Sequence, residues 1–316
     1  MWKQYKHKTV RDLAWCLYSE RIVDNALAID DSMLEQDYIS FEKHLIELDK
    51  NPKPLIDFLA NKNTHRLGYY FEQLVFYWLE VSSRYDLVEN NIPVRTEKGI
   101  SKGEVDLIVL DKTQGLHQHW ELAVKFFLAY QNTNQDSIYI GPNANDFLHL
   151  KLQKLQNHQC KILESTEGKR ILKRLNIPAI HTKLFIKGML FYHPKQAFII
   201  PKNIHNQHQQ SWWIYLREAD DFFEEVHQFR LLHKKQWLST PDIALGTMSK
   251  KECCKRIQEE LKSSPRSLYI AIYKNETLIS MGFVVHDAWP NLKQKKPLTF
   301  LREALDINKL MLTIRT

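Results

Sequence analysis

Two neighbouring segments in which apolar and polar residues alternate constrain the fold of this chain more than any other feature. The first runs from Gly103 to Asp111 and the second from His119 to Phe126, with a short turn around Gly115 between them. Side chains that are two residues apart lie on the same face of a strand, so a two-residue period is typical of half-buried strands. The pattern therefore predicts a β-hairpin.

The polar positions of this hairpin are charged. Glu104 and Asp106 share one face of the first strand, while Glu121, Ala123 and Lys125 share one face of the second. Placing several charges beside an apolar sheet is costly unless a divalent cation or the lysine compensates the acids. This combination favours a metal-dependent phosphodiesterase.

Composition sets outer limits. The chain has 316 residues, 44% of them hydrophobic, with only 9 glycines and 11 prolines, which indicates a globular protein with a sizeable core. It contains no run of roughly 18 apolar residues, its first residues lack the apolar segment of a signal peptide, and its four cysteines form no CxxC pair. We therefore expect a soluble protein of the reducing cytoplasm with no membrane partner.

The charge of the chain is unevenly distributed. The net charge is +7, yet residues 12–60 hold eleven acidic against four basic residues, so the excess of base lies in residues 1–11 and 61–316. A basic field around the acidic hairpin is expected of a site that attracts phosphates. The alternative reading is that a modest excess of lysine only keeps the protein soluble.

Three regions are predicted: an acidic helical N-terminal region at 1–64, a central core at 65–202, and an α+β C-terminal region at 203–316. A polar stretch at 203–210 marks the second boundary. Helices are predicted at 11–29, 32–48, around 55–59, 67–81, 146–163 (capped by Asp146), 219–233 and 249–262. Strands are predicted at 85–95, 104–111, 119–129, 183–191, 197–200, 267–273 and 277–285.

The central core resembles the catalytic core of the PD-(D/E)XK phosphodiesterase superfamily. The segment Gly103-Glu104-Val105-Asp106-Leu107-Ile108 is similar to the second core strand of its Holliday-junction-resolvase-like branch. Residues 68–72 (Gly-Tyr-Tyr-Phe-Glu) and 91–95 (Asn-Ile-Pro-Val-Arg) resemble its first-helix and first-strand motifs. The whole chain also resembles a family of uncharacterised bacterial proteins placed in this superfamily. The implied fold is α/β, with a restriction-endonuclease-like core of helix, three-stranded meander, helix and strand.

The resemblance implies roles for residues already distinguished by their charge. Asp106, Glu121 and Glu72 would hold Mg²⁺ or Mn²⁺, cations that prefer oxygen ligands. Lys125 would orient or deprotonate the attacking water, and the reaction would be hydrolysis of phosphodiester bonds. Glu104 would act in support, as would Gln159.

Other residues are expected to contact nucleic acid, with DNA favoured over RNA. Lys151 and Lys154 lie on the helix that borders the site in this superfamily, and Arg95 ends the first strand. Trp212 stands beside the polar stretch and could stack on a base. Cleavage of both strands of a duplex would favour a homodimer with two-fold symmetry.

One position departs from the superfamily pattern, because Ala123 stands where acid-x-Lys requires the acid. Glu121 lies two residues earlier on the same face, a shift of roughly 6.6 Å that a long side chain partly recovers. The competing hypothesis is a catalytically degenerate module that binds nucleic acid or serves assembly. Taken singly, Asp106 and Glu72 also read as surface acids, and Glu121 with Lys125 as an ion pair on an edge strand.

Overall fold

The protein is a mixed α/β structure built on one large mixed sheet, which confirms the predicted class. The structure, a computed structural model, describes residues 2–29, 31–62, 64–130, 137–242 and 246–291. Its α-helices are α1 (Lys8–Tyr18), α2 (Asp31–Lys50), α3 (Lys53–Ala60), α4 (Leu67–Val81), α5 (Leu148–Asn157), α6 (Thr166–Arg174), α7 (Ala219–Phe222) and α8 (Lys250–Ser263).

The strands form a sheet with the order β1-β2-β3-β5-β6-β9-β8-β7, and β4 pairs with β3 beside this path. They are β1 (Tyr85–Arg95), β2 (Ser101–Asp111), β3 (Leu116–Tyr130), β4 (Ile138–Ile140), β5 (His181–Tyr192), β6 (Gln210–Tyr215), β7 (Gln228–Leu232), β8 (Leu268–Lys274) and β9 (Thr277–Val285). β1, β2 and β3 form an antiparallel meander, and β3, β5, β6 and β9 run parallel in the centre. β8 and β7 close the sheet with antiparallel pairs.

Helices cover both faces of the sheet, and the alternation along β3 shows how the sequence directs this. Trp120 and Leu122 belong to a core cluster that also contains residues of α1 to α4. Ala123 and Phe127 belong to a cluster on the opposite face, together with residues of α5. Because side chains alternate between faces, one strand supplies both cores, and the charged positions at 121 and 125 share the α5 face.

Several predicted elements are confirmed, and others are wrong. α4 and β1 have the predicted bounds, and the 267–285 hairpin forms as β8 and β9. The helix predicted at 11–29 ends at Tyr18, because residues 21–23 bridge to neighbouring segments instead. Within the described residues, 197–200 form no strand.

Two further helix predictions require correction. The helix predicted at 146–163 begins at Leu148 and is α-helical only to Asn157; a 3₁₀ segment, Gln159–Glu164, follows, and Asp146 is not its cap. The helix predicted at 219–233 is one turn, α7, followed by β7, which pairs with β8. Here a long-range strand pairing overrides local helical spacing.

The sheet continues across the predicted boundary at 202/203. β5 pairs with β6 through Leu190↔Gln210 to Tyr192↔Trp212, and Trp213 Nε1 donates a hydrogen bond of 3.0 Å to the carbonyl of Ala129. Residues 292–316 of the predicted C-terminal region lie outside the described part of the chain. In the part that is described, no helix is both long and apolar enough to cross a membrane.

Candidate functional site

The predicted site lies where β2 and β3 separate. The two strands pair from Asp111↔Leu116 to Leu107↔Trp120, and the ladder stops there. At the next position, Asp106 Oδ2 accepts a hydrogen bond of 2.7 Å from the backbone N–H of Leu122. We call this separation of β2 and β3 the fork. The carboxylate of Asp106 takes the place of a strand carbonyl there, and it satisfies the backbone N–H of Leu122, which has no ladder partner on β2.

Glu121 lies beside this fork on β3 and has both carboxyl oxygens engaged. Its side chain is fully buried. Oε1 is 3.0 Å from His119 Nε2, and Oε2 accepts a hydrogen bond of 2.9 Å from Gln159 Nε2, in the 3₁₀ segment after α5. The predicted shared face is therefore real, and His119 also belongs to it.

The hydrogen bonds around His119 define where its protons lie. The Thr182 hydroxyl donates to the carbonyl of Cys160 at 3.1 Å, so Thr182 Oγ1 acts as an acceptor toward His119 Nδ1 at 3.5 Å. With its hydrogen on Nδ1, the neutral imidazole accepts at Nε2, and the carboxyl of Glu121 must donate that hydrogen bond. Burial lowers the pKa of His119 to about 4, which keeps the ring neutral at pH 7.

A protonated Glu121 agrees with its surroundings. Burial raises the pKa of Glu121 to about 8; the Lys151 ammonium opposes this shift, and the Glu104 charge adds to it. Glu121 therefore stores a proton at neutral pH. A cation bound by its carboxylate would release this proton.

Asp106 and Glu72 show the same direction of shift. Burial, and then the charge of Glu121, raises the pKa of Asp106 to about 7, against the stabilising N–H of Leu122. Burial raises the pKa of Glu72, on α4, to about 8, with further contributions from Asp106, Glu104 and Glu121. These carboxyl groups, which are distant in the sequence, therefore interact electrostatically with one another.

Lysines border the acids on the α5 side. Lys151 is half-buried, and its Nζ donates a hydrogen bond of 3.4 Å to Gln159 Oε1. Burial lowers the pKa of Lys151, as do the charges of Lys125 and Lys154, while Glu121 and Asp106 oppose this shift. Lys125 lies 3.6 Å from Asp146 Oδ2.

The structure therefore brings most of the predicted site residues together. Those that interact at the fork are Glu72, Glu104, Asp106, Glu121, Lys151 and Gln159, with Lys125 and Lys154 close to Lys151. Arg95 is exposed at the end of β1, where it pairs with Ser101. Trp212 lies on β6, packs against Phe222 and Phe223, and donates a hydrogen bond to Ser280.

The structure does not support an edge-strand ion pair between Glu121 and Lys125. β3 is an interior strand between β2 and β5, and Lys125 pairs with Asp146. Glu121 is bound by His119 and Gln159 instead. Among the residues that the structure describes, no lysine forms the direct ion pair with the acids of the fork that the sequence suggested.

The donor chemistry suits a hard cation, but the arrangement is not that of a finished metal site. Glu72, Asp106 and Glu121 offer carboxylate oxygens, the ligands that Mg²⁺ and Mn²⁺ prefer. Among the described residues, however, no group of three or more His, Cys, Asp or Glu side chains is placed to hold a metal ion. Glu121 would have to shift from its present position to join such a group.

Sequence reasoning missed His119 and Thr182. The signal that could have identified His119 is its position two residues before Glu121, which places both on one face of the strand. Thr182 comes from β5, and its approach depends on the parallel pairing with β3.

Residues 11–285 match the family model described as Domain of unknown function (DUF1853). Because this match covers most of the chain, the protein belongs to that family. No curated protein and no solved structure matches the chain.

Proposed function

We propose that this member of the DUF1853 family is a metal-dependent phosphodiesterase that hydrolyses nucleic acid, with DNA favoured as substrate. The order α4, β1, β2, β3, α5 and β5 supports a restriction-endonuclease-like core of the PD-(D/E)XK type. We propose further that the protein is soluble and cytoplasmic and that it acts as a homodimer.

One observation carries this proposal: acids from α4, β2 and β3 raise one another's pKa at a fork in the sheet. Glu72, Asp106 and Glu121 each have a pKa near or above 7 because burial and neighbouring carboxylates disfavour their charged forms. Such like-charge clusters are unfavourable for stability alone and are concentrated at functional sites. A divalent cation would relieve the repulsion.

Each residue of the fork has a role in this proposal. Asp106, Glu121 and Glu72 would hold Mg²⁺ or Mn²⁺, and Glu104 would stay beside them in support. The cation would lower the pKa of a water and stabilise charge that develops on the phosphate. Lys125 would offset that charge as well, while Lys151 and Lys154 would contact the neighbouring backbone phosphates. Arg95 and Trp212 are also proposed to contact nucleic acid, although they lie outside the group of residues that interact at the fork.

A metal titration tests the proposal. Mn²⁺ titrated into the protein by calorimetry should bind at about one site per chain, and Asp106→Ala should lose this binding because it removes a central ligand. A matched control is Asp86→Ala, which removes an exposed acid of β1 that pairs with Lys112. Absence of Mn²⁺ binding to the wild-type protein, with or without DNA, would contradict the proposal.

A second candidate function is a degenerate module that binds nucleic acid without cutting it. The observation that favours it is Ala123, which is buried at the position where the superfamily pattern requires an acid. This alternative predicts DNA binding that is insensitive to Mn²⁺ and to Asp106→Ala. Retention of Mn²⁺ binding together with divalent-dependent cleavage would exclude it.

A further inference from the structure

The contacts of Gln159 suggest that the proposed metal site is regulated by its own substrate. Gln159 connects an acid and a base: its Nε2 donates to Glu121 at 2.9 Å, and its Oε1 accepts from Lys151 at 3.4 Å. His119 contacts the other carboxyl oxygen of Glu121, so both oxygens are held by protein partners. Gln159 therefore helps to fix the carboxyl of Glu121 in a position in which, among the described residues, no group of three acids is placed to hold a metal ion.

Lys151 holds the amide of Gln159 in the orientation that fixes Glu121. An amide has one acceptor and one donor end, so a hydrogen bond from the ammonium to Oε1 directs Nε2 toward Glu121. Lys151 belongs to a group of three lysines on this side of the site, with Lys125 and Lys154. A phosphate that approaches these lysines offers Lys151 a stronger, charge-assisted partner than an amide oxygen.

We propose that Gln159 is a latch on Glu121 that a nucleic-acid phosphate opens by drawing Lys151 away. With Lys151 engaged by phosphate, Gln159 loses the contact that orients it, and the carboxyl of Glu121 is released to turn toward a cation. Nucleic acid and cation then bind cooperatively, and each increases the affinity of the other by the same factor. This inference rests on the proposed function, because it assumes that Glu121 is a metal ligand.

Calorimetry with and without DNA tests the latch. The probes are Mn²⁺ and a short DNA duplex with phosphorothioate linkages, which keep one charge per linkage and resist hydrolysis. Wild-type protein should bind Mn²⁺ about tenfold more tightly when the duplex is present. Gln159→Ala should bind Mn²⁺ about fivefold more tightly than wild type without duplex, and the further gain from duplex should shrink by the same factor.

Two further variants serve as controls. Gln159→Met keeps the volume of the side chain but removes its hydrogen bonds. It should therefore tighten Mn²⁺ binding as Gln159→Ala does, even where the 3₁₀ segment does not tolerate the smaller alanine. Gln153→Ala removes an exposed glutamine of α5 and should behave as wild type.

The outcomes distinguish the latch from the proposed function on which it rests. Equal gains from duplex in wild type and in both Gln159 variants would overturn the latch and leave the metal site standing, since contact between cation and phosphate alone would then explain the coupling. Failure of wild type to bind Mn²⁺ under either condition would overturn the latch together with the proposed function.

Discussion

Asp106 and Asp111 lie on the same strand, β2, and show opposite responses to their surroundings. Asp111 is fully buried, yet its pKa is lowered, because Arg84 donates to both of its oxygens and Thr113 adds further hydrogen bonds that together outweigh the cost of burial. Asp106 is only half-buried, yet its pKa rises to about 7.

Burial favours the neutral form of both acids, so the opposite directions of their pKa shifts come from their partners. At the Asp111 end, Arg84 also pairs with Asp37 of α2, so two acids share one guanidinium. At the fork, the carboxyl groups of Glu72, Asp106 and Glu121 raise one another's pKa, and the ammonium of Lys151 donates its hydrogen bond to Gln159. A compensated acid stabilises the fold, whereas an uncompensated group of acids is expected where a ligand supplies the missing charge.

The largest expected effect distinguishes the two ends by stability. Asp111→Ala should lower the free energy of unfolding by about 3–5 kcal/mol, because it removes the buried carboxylate that binds both Arg84 and Thr113. Asp106→Asn should change the free energy of unfolding by less than about 1 kcal/mol, since the amide oxygen can still accept from Leu122 and repulsion is relieved. Urea unfolding of both variants measures this; equal losses would contradict the comparison.

The pH dependence of stability should also differ between the two ends. Acids with raised pKa bind more protons in the folded than in the unfolded state, so the stability from Glu72, Asp106 and Glu121 is full below about pH 4 and is lost as the pH rises to about 8. Asp111, with its lowered pKa, contributes stability that is lost as the pH falls below its unfolded value of about 4.

Melting temperatures measured between pH 3 and pH 9 check these signs. The contribution of the three acids should fall from pH 5 to pH 8, so Asp106→Asn should lose less stability than wild type over this interval while keeping the loss below pH 4. A variant with the same slope as wild type between pH 5 and pH 8 would show that the fork does not titrate in this range.

The smallest expected effect concerns single hydroxyl groups. Thr113 Oγ1 donates a hydrogen bond of 2.6 Å to Asp111, so Thr113→Val should lower the free energy of unfolding by about 0.5–1.5 kcal/mol.

Thr182→Val removes the acceptor of His119 Nδ1 and should shift the tautomer of His119, which ¹⁵N NMR of the ring detects. An unchanged tautomer would show that Glu121 alone fixes the proton on His119.

Local periodicity was sufficient for the elements that carry the proposed site. α4 and the β1–β3 meander follow from apolar spacing and from the turn around Gly115, whose φ is +66°. The prediction of a helix at 219–233 was wrong because β7 forms by pairing with β8, which lies far along the chain. Asp146 resembled a helix cap in sequence, but in space it pairs with Lys125.

The sequence predicted most of the charged residues that lie together at the fork, but it predicted neither His119 and Thr182 nor the contacts between the residues. The two-residue period placed Glu121 and Lys125 on one face of β3, as found. The partner of each group was not predictable, because Gln159 reaches Glu121 from the 3₁₀ segment and Lys151 reaches Gln159 from α5. Such contacts depend on how layers pack and not on spacing within one element.

The parallel pairing of β6 with β9 has a consequence for synthesis of the protein. Residues 212–215 pair with 282–285, so one edge of β6 stays open on the ribosome until β9 has emerged. An unpaired edge of an apolar strand is a template for association with other chains. The centre of the sheet therefore closes late in translation, and slow or interrupted synthesis after β6 should increase aggregation of the nascent chain.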